Sequence, residues 1–154
     1  MSKESDSWYF HKTWSDFRRG KLRIGLDFGP EHAIGLLYDE GVPRTVAAIC
    51  AHLPIKVPVV HVAWSGDMVM STVAYDIPAK EPENQVRLVR PGDLAWDPKF
   101  GELTVTYGTA EARLPSGPNT LVVYGQIIEG LDAFAAFGRA RRFEGLGYVI
   151  MSKL

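Results

Sequence analysis

The clearest pattern along the chain is a continuous apolar run from Leu121 to Tyr124, which resumes at Ile127 and Ile128. A run that is apolar on both faces is typical of a strand that is buried on both sides. Gly125 interrupts the run and predicts a bend or bulge at a corner of a sheet. A helical pattern begins after Gly130. This stretch therefore predicts a strand, a corner and a helix in direct succession.

Upstream, two shorter patterns predict a hairpin followed by a helix. Residues 22–28 alternate apolar and polar positions, as half-buried strands do, and residues 33–38 form the return strand after a Gly-Pro turn. The helix begins near Pro43, because proline is accepted in a first helical turn, and it ends before Pro54. Cys50 lies on the apolar stripe of this helix, and we interpret it as a small buried hydrophobe rather than a nucleophile.

The rest of the chain predicts further short strands separated by turns. A third strand covers Val57 to Trp64 and a fourth covers Met68 to Ile77. The remaining predicted elements are short strands near 86–89, 94–96 and 103–107, a second helix containing Leu131, Phe134 and Phe137, and a closing strand over 145–151. About eight short antiparallel strands favour a closed barrel or a sandwich, because closure removes exposed edges.

Composition narrows the class of protein. A chain of 154 residues suits one domain with a substantial core, and its net charge of −1 gives no electrostatic support for binding nucleic acid or an anionic membrane. One cysteine excludes an internal disulfide framework and fits a reducing compartment. No apolar stretch approaches the ~20 residues of a membrane helix, and the polar N-terminus does not look like a signal peptide. We therefore expect a cytoplasmic protein.

Residues 1–20 differ from the domain that we predict over residues 21–154. This N-terminal arm is rich in aromatic residues, and Phe10, Trp14 and Phe17 have the spacing of one helical face. An aromatic stripe outside the main domain must be covered by another surface. Two interpretations stay open: the arm packs on its own domain, or it contacts a second subunit and forms a homo-oligomer.

Three stretches, in the expected order, resemble the cyclophilin superfamily. They are the hairpin with the Pro43-Arg44-Thr45 that opens the first helix, the segment Gly92-Asp93-Leu94-Ala95-Trp96, and the segment from Tyr124 to Asp132. The turn Trp64-Ser65-Gly66-Asp67 is similar to that of uncharacterised bacterial cyclophilin-like proteins of unknown function. The resemblance implies a mainly β protein, a closed, roughly eight-stranded barrel capped by two helices. It implies no established activity.

The chain lacks most of the residues that the resemblance implies for prolyl isomerisation. Rotation about the prolyl bond faces a barrier of ~20 kcal/mol, which a guanidinium aimed at the prolyl nitrogen lowers. Aligning His61 with the histidine of the family's Phe-His-Arg strand puts Val62 in the place of the arginine. Of the family's Phe-Met-x-Gln motif only Met68 is kept, and Val105 replaces a pocket phenylalanine. We therefore expect no normal prolyl isomerase activity.

The remaining candidates are aromatic, sulfur-containing and polar residues on or beside the strands that form the ligand face of cyclophilins. The predicted ligand-binding residues are His61, Trp64, Met68, Met70, Trp96, Tyr107, Asn119 and Gln126. An apolar groove with a few polar groups is typical of sites for small organic molecules and peptides. We therefore predict a module that binds such a ligand, although the same residues also suit an ordinary core and surface.

Other chemistry finds little support in the sequence. The four histidines show no metal-ligand spacing, and no phosphate-binding loop or nucleophile elbow is present. We therefore predict neither a metal nor a cofactor. Two alternatives to a binding module stay open, a divergent prolyl isomerase and an enzyme that acts on a small metabolite with His61 as the general base.

Overall fold

Eight strands close into an antiparallel barrel in the computed structural model, which describes residues 17–154. The elements in chain order are β1 (Leu22–Phe28), β2 (Glu31–Leu37), α1 (Pro43–Cys50), β3 (Ile55–His61), β4 (Gly66–Ser71), β5 (Gln85–Val86), β6 (Asp93–Asp97), β7 (Glu102–Ala110), β8 (Arg113–Leu114), β9 (Gly117–Pro118), β10 (Leu121–Glu129), α2 (Leu131–Glu144) and β11 (Gly147–Lys153). The strand order is β2-β1-β11-β3-β4-β7-β6-β10, and the pairing of β10 with β2 closes the barrel. The extra strand β5 pairs with β10. The predicted barrel with two helices is confirmed.

Packing around Gly35 shows which side chains point into the barrel. A Cβ atom placed on Gly35 would lie 3.1–3.3 Å from side-chain carbons of Leu94, Ile24 and Leu26. Leu94 pairs directly with Val105 across β6 and β7, and paired residues share a face of the sheet. The interior face of β7 therefore carries Val105, and the residues on either side of Val105 point outward.

The first half of strand β10 is buried, as its apolar run predicts. Residues 121–125 are all buried, and the register of pairing with β6 shifts between Val123 and Gly125. This irregularity confirms the predicted bulge. Glycine is required at this position because a Cβ atom on Gly125 would lie 2.6 Å from the backbone oxygen of Leu36.

The two helices cover the barrel with the apolar faces that their spacing predicts. In α1, Val46 and Ile49 are buried, and Cys50 packs against the core at partial exposure. Burial raises the pKa of the Cys50 thiol, which disfavours the nucleophilic thiolate. In α2, the ring of Phe134 packs edge-on against Phe28, with 5.0 Å between the ring centroids. Neither helix of residues 17–154 has the length and apolar character needed to span a bilayer.

The fourth strand is shorter than its alternating pattern predicts. It ends at Ser71, where the serine hydroxyl accepts a hydrogen bond from the backbone N–H of Leu103. The chain then leaves the sheet, and Ile77 and Ala79 are buried as parts of an irregular segment. Val73 is 45% exposed and Tyr75 is only partly buried, so residues 72–77 form an irregular segment that enters the core at Ile77, and the prediction of a strand there is wrong.

Most of the predicted aromatic arm lies outside the described residues. The described chain begins at Phe17, whose ring packs edge-on against Tyr38 with 5.6 Å between the centroids. A Cβ atom on Gly41 would also lie 2.6 Å from this ring. Phe17 therefore rests on the barrel of its own chain, and the role of residues 1–16 stays a prediction.

Candidate functional site

The outer face of β4 and β7 carries a depression in two parts, which we name the cleft and the shelf. The cleft is narrow, with a volume of about 30 Å³, and the shelf beside it is open, with a volume of about 420 Å³. Four residues line both parts, namely Trp64, Met70, Glu102 and Leu114. The two parts therefore form one candidate site.

The register of three neighbouring strands builds the cleft. Met70 on β4 lies opposite Thr104 on β7, and Glu102 on β7 lies opposite Asp97 on β6. Successive residues of a strand point to opposite faces, so Glu102 and Thr104 share the outer face with Met70. The cleft is completed by the segment around β8 and β9, which contributes Arg113, Leu114 and Asn119.

Asp97 forms a fully bonded polar floor for the cleft. Its side chain is only 2% exposed. One carboxylate oxygen, Oδ1, accepts a hydrogen bond from the backbone N–H of Lys99 at 3.0 Å and forms an ion pair with the Lys99 Nζ at 3.1 Å. The other, Oδ2, accepts from Nδ2 of Asn119 at 3.0 Å. A buried carboxylate needs such partners, so the geometry of Asp97 is explained within the chain.

Thr104 and Glu102 line the cleft, and the described chain provides no partner for their polar groups. The Oγ1 atom of Thr104 is buried and forms no hydrogen bond among residues 17–154, and the residue is 6% exposed. Glu102 lies beside it, where burial and then the charge of Asp97 raise the pKa of its carboxyl group. An ion pair with Glu102 is absent from the described part of the molecule, whereas Arg113, also in the cleft, lies 4.0 Å from Glu111.

The shelf is an apolar surface with two exposed aromatic rings. Trp64 is 39% exposed and Phe100 is 48% exposed. Met70, Leu114 and Pro115 complete the surface between them. Exposed aromatic rings grouped beside a cleft are a common feature of binding sites, because they offer apolar area without the entropy cost of ordering a flexible side chain.

The structure brings together four of the eight predicted site residues: Trp64, Met68, Met70 and Asn119 all line the cleft. Trp96 does not reach it. Its side chain is 0% exposed, and its Nε1 donates a hydrogen bond to the backbone oxygen of Ala79 at 2.9 Å. Trp96 lies opposite Leu103 on the interior face, two residues from Leu94. We therefore assign Trp96 to the core.

Three further predicted residues also lie away from the cleft. His61 pairs with Val69 on the interior face, and Tyr107 lies on the same face near α2, where its hydroxyl accepts a hydrogen bond from Nε of Arg142 at 3.3 Å. Burial and the nearby Arg142 charge lower the pKa of His61 and favour its neutral form. Gln126 on β10 accepts a hydrogen bond from the Tyr38 hydroxyl at 2.6 Å. The geometry does not connect His61 with the cleft.

The sequence-based prediction missed the residues of β7 that line the cleft. The resemblance to cyclophilins implies that Val105 occupies the pocket position of this strand, but Val105 faces the interior, and the cleft residue is its neighbour Thr104. Glu102, Thr104 and Thr106 alternate with the apolar residues of this strand. Thr104 and Thr106 are nevertheless buried. The sequence does not show that Thr104 lies beside Met70, because this depends on the register in which β4 and β7 pair.

The closed eight-stranded antiparallel barrel with two helices is a cyclophilin-like fold. Within that class, the chain belongs to a family described as protein of unknown function, DUF3830, whose model matches residues 24–152. No curated protein matches the chain.

Solved structures support the fold. McbB in complex with tryptophan is 17% identical with a TM-score of 0.67, over 84% of this chain and 44% of McbB. The hypothetical protein AF2241 from Archaeoglobus fulgidus is 22% identical with a TM-score of 0.56, over 90% of this chain and 99% of that protein. The Mimivirus cyclophilin is 16% identical with a TM-score of 0.51, over 88% and 89%. This chain spans less than half the length of McbB, and identities this low indicate a shared fold only.

Proposed function

We propose that this protein binds a small organic molecule, with a ring-sized apolar part on the shelf and a small polar group in the cleft. One observation carries the proposal: an exposed tryptophan, Trp64, borders the same depression as Thr104, whose buried hydroxyl has no hydrogen-bond partner among residues 17–154. A buried polar group without a partner costs free energy, and a ligand that supplies the partner recovers it. The apolar surface beside it supplies the hydrophobic contribution to binding.

The sizes of the two parts support this division of the ligand. The cleft volume of about 30 Å³ admits a group the size of a water molecule, and an aromatic ring does not fit. The shelf volume of about 420 Å³ falls within the range of small-molecule sites. A peptide remains the other kind of ligand for this site, because one apolar side chain would cover the shelf in the same way.

Indole compounds are suitable first probes, since one structural neighbour, McbB, is seen in complex with tryptophan. We expect indole-3-ethanol to raise the melting temperature of the protein and to bind measurably in isothermal titration calorimetry. Trp64→Ala should weaken binding by about tenfold or more, because the ring provides much of the contact area. Phe143→Ala is the matched control, since Phe143 is 88% exposed on α2 and lines neither part of the site.

Two results would contradict the proposal. One is the absence of binding by indole compounds, by a wider fragment set and by proline-containing peptides. The other is binding that Trp64→Ala and Phe143→Ala weaken equally, because the ligand would then occupy another surface. If only peptides bind, the natural ligand of the site is a peptide and not a small organic molecule.

A divergent prolyl isomerase is the second candidate, and one observation favours it. Val62 stands where the resemblance places the catalytic arginine, but another arginine, Arg113, lines the cleft from β8. Its position on a different element gives no reason to expect the same alignment with a prolyl nitrogen. Single donors of this kind contribute ~3 kcal/mol, about a hundredfold in rate. We therefore expect a protease-coupled assay to give less than about a hundredth of an ordinary cyclophilin rate. A normal rate that Arg113→Ala abolishes would establish the isomerase instead.

A further inference from the structure

We infer that the ligand of this site carries an amine, whose ammonium form binds in the cleft between the Glu102 carboxylate and the Thr104 hydroxyl. The inference rests on the proposed function and adds the charge and chemical class of the polar group. It depends on the charges around Glu102, on the hydroxyl of Thr104, which has no partner in the described part of the chain, and on the size of the cleft.

Two carboxylates face each other across the floor of the cleft. Glu102 and Asp97 are direct partners in the antiparallel pairing of β7 with β6. Like charges at directly opposed positions destabilise a sheet. Asp97 is compensated within the chain, because the Lys99 ammonium and the Asn119 amide occupy its two oxygens. Glu102 has no cation within 4.0 Å among residues 17–154.

Arg113 also lines the cleft, and its guanidinium lies within 4.0 Å of Glu111 rather than of Glu102. Its Nη1 lies 4.0 Å from a carboxylate oxygen of Glu111, and Nε of Arg87 lies 3.4 Å from the same oxygen. Lys99 is also engaged, because its Nζ contacts both Asp97 and the backbone oxygen of Thr120. The negative charge that the cleft leaves without a close partner is therefore that of Glu102.

The hydroxyl of Thr104 supplies the second contact for the ammonium group, beside the carboxylate of Glu102. It lies two residues from Glu102 on the same outer face of β7, and its Oγ1 is a buried acceptor without a donor in the described chain. An ammonium group has three N–H donors, which suffice for the carboxylate of Glu102 and the hydroxyl of Thr104 together. It is also small enough for a cleft of about 30 Å³.

Other polar groups fit this arrangement less well. A neutral hydroxyl on the ligand would satisfy Thr104 but would leave the charge of Glu102 without a partner. A carboxylate would add a third negative charge beside Glu102 and Asp97. An ammonium also has a favourable neighbour in the exposed Trp64 ring at the border between cleft and shelf, since cations bind to the face of tryptophan.

Calorimetric titration of the full chain with three indole compounds tests the inference. Tryptamine carries an ammonium, indole-3-ethanol a hydroxyl and indole-3-acetate a carboxylate on the same ring. At neutral pH and low salt, we expect tryptamine to bind about tenfold or more tightly than indole-3-ethanol, and indole-3-acetate to bind most weakly. Glu102→Gln should reduce the difference between tryptamine and indole-3-ethanol to about twofold or less, because it removes the charge and keeps the shape. Glu144→Gln, on the exposed end of α2, should leave the difference unchanged.

The outcomes separate this inference from the proposed function. Equal binding of tryptamine and indole-3-ethanol to the parent protein overturns the amine inference and leaves the shelf as a binding site. A preference for tryptamine that persists in Glu102→Gln overturns the assignment to Glu102. If no indole compound binds, the proposed function fails for this ligand class, and the inference that depends on it fails as well. Retained binding of indole-3-ethanol shows that Glu102→Gln is folded.

Discussion

The two tryptophans that the sequence placed in one groove should respond to mutation in opposite ways. Trp96 is completely buried, and its Nε1–H donates a hydrogen bond to the backbone oxygen of Ala79. Trp64 is 39% exposed at the border of the cleft and the shelf. Trp96→Ala should therefore reduce stability with little direct effect on the site, whereas Trp64→Ala should reduce binding with little effect on stability.

The expected magnitudes differ enough to measure. Truncation of a buried tryptophan to alanine costs about 3–5 kcal/mol of unfolding free energy, because it leaves a cavity. In a domain of this size, 1 kcal/mol lowers the melting temperature by about 2–4 °C, so Trp96→Ala should lower it by about 6–20 °C. Trp64→Ala removes a ring that is already partly in water and should cost about 1 kcal/mol, or about 2–4 °C.

Thermal melts and urea titrations of both variants provide the test. Trp96→Phe is an informative control, since it keeps most of the ring volume but removes the donor to Ala79. It should cost about 1–3 kcal/mol, the penalty for an unsatisfied buried carbonyl. If Trp64→Ala destabilised the protein as much as Trp96→Ala, Trp64 would be a core residue and the shelf would lose its main binding surface.

Three further predictions follow from the structure. Burial and then the charge of Asp97 raise the pKa of Glu102 in the folded protein above its ordinary value of 4.5. At pH values above the raised pKa, the ionised Glu102 therefore lowers the free energy of unfolding, and this loss of stability disappears as the pH falls to 4.5. Glu102→Gln should therefore raise the melting temperature at neutral pH and converge with the parent in acid; a variant less stable than the parent at neutral pH would contradict this. Gly138→Ala should destabilise the protein by about 1–3 kcal/mol in urea titrations despite a gain in helix propensity, since its Cβ would lie 2.4 Å from the Tyr107 ring. A more stable variant would show that α2 can shift away from the barrel. Deletion of residues 1–16 decides between the two roles predicted for the arm: a lower mass in light scattering indicates contact between subunits, and an unchanged mass with a lower melting temperature indicates packing on the same chain.

The sequence predicted the elements whose signals are local. The apolar run of β10, its irregularity at Gly125 and the start of α1 at Pro43 each depend on a few neighbouring residues. The prediction failed over residues 72–77, where the alternating pattern belongs to an irregular segment in which Ile77 is buried and Val73 is 45% exposed. Alternation alone does not distinguish a strand from such a segment, because the pattern records which residues are apolar and does not show which of them are paired in a sheet.

The candidate site was harder to predict because it depends on the register in which β4, β7 and β6 pair. Residues 103–107 of β7 are all buried, so burial does not reveal which of them face the barrel interior. Only the pairings of Met70 with Thr104 and of Glu102 with Asp97 place the polar groups of the cleft together. The same alternation moves His61 and Tyr107 to the other face, although both belong to strands that contribute to or neighbour the site.

The most direct test of the proposed site is a proton–nitrogen NMR titration of the parent protein with indole-3-ethanol. The Nε1–H groups of Trp64 and Trp96 report on the shelf and on the core, because one ring is exposed and the other is buried against Ala79. We predict that the Trp64 signal and the backbone amides of residues 102–104 and 113–116 shift and saturate together, while the Trp96 signal stays unchanged. Saturable shifts confined to another surface, with the Trp64 signal unmoved, would contradict the proposed site.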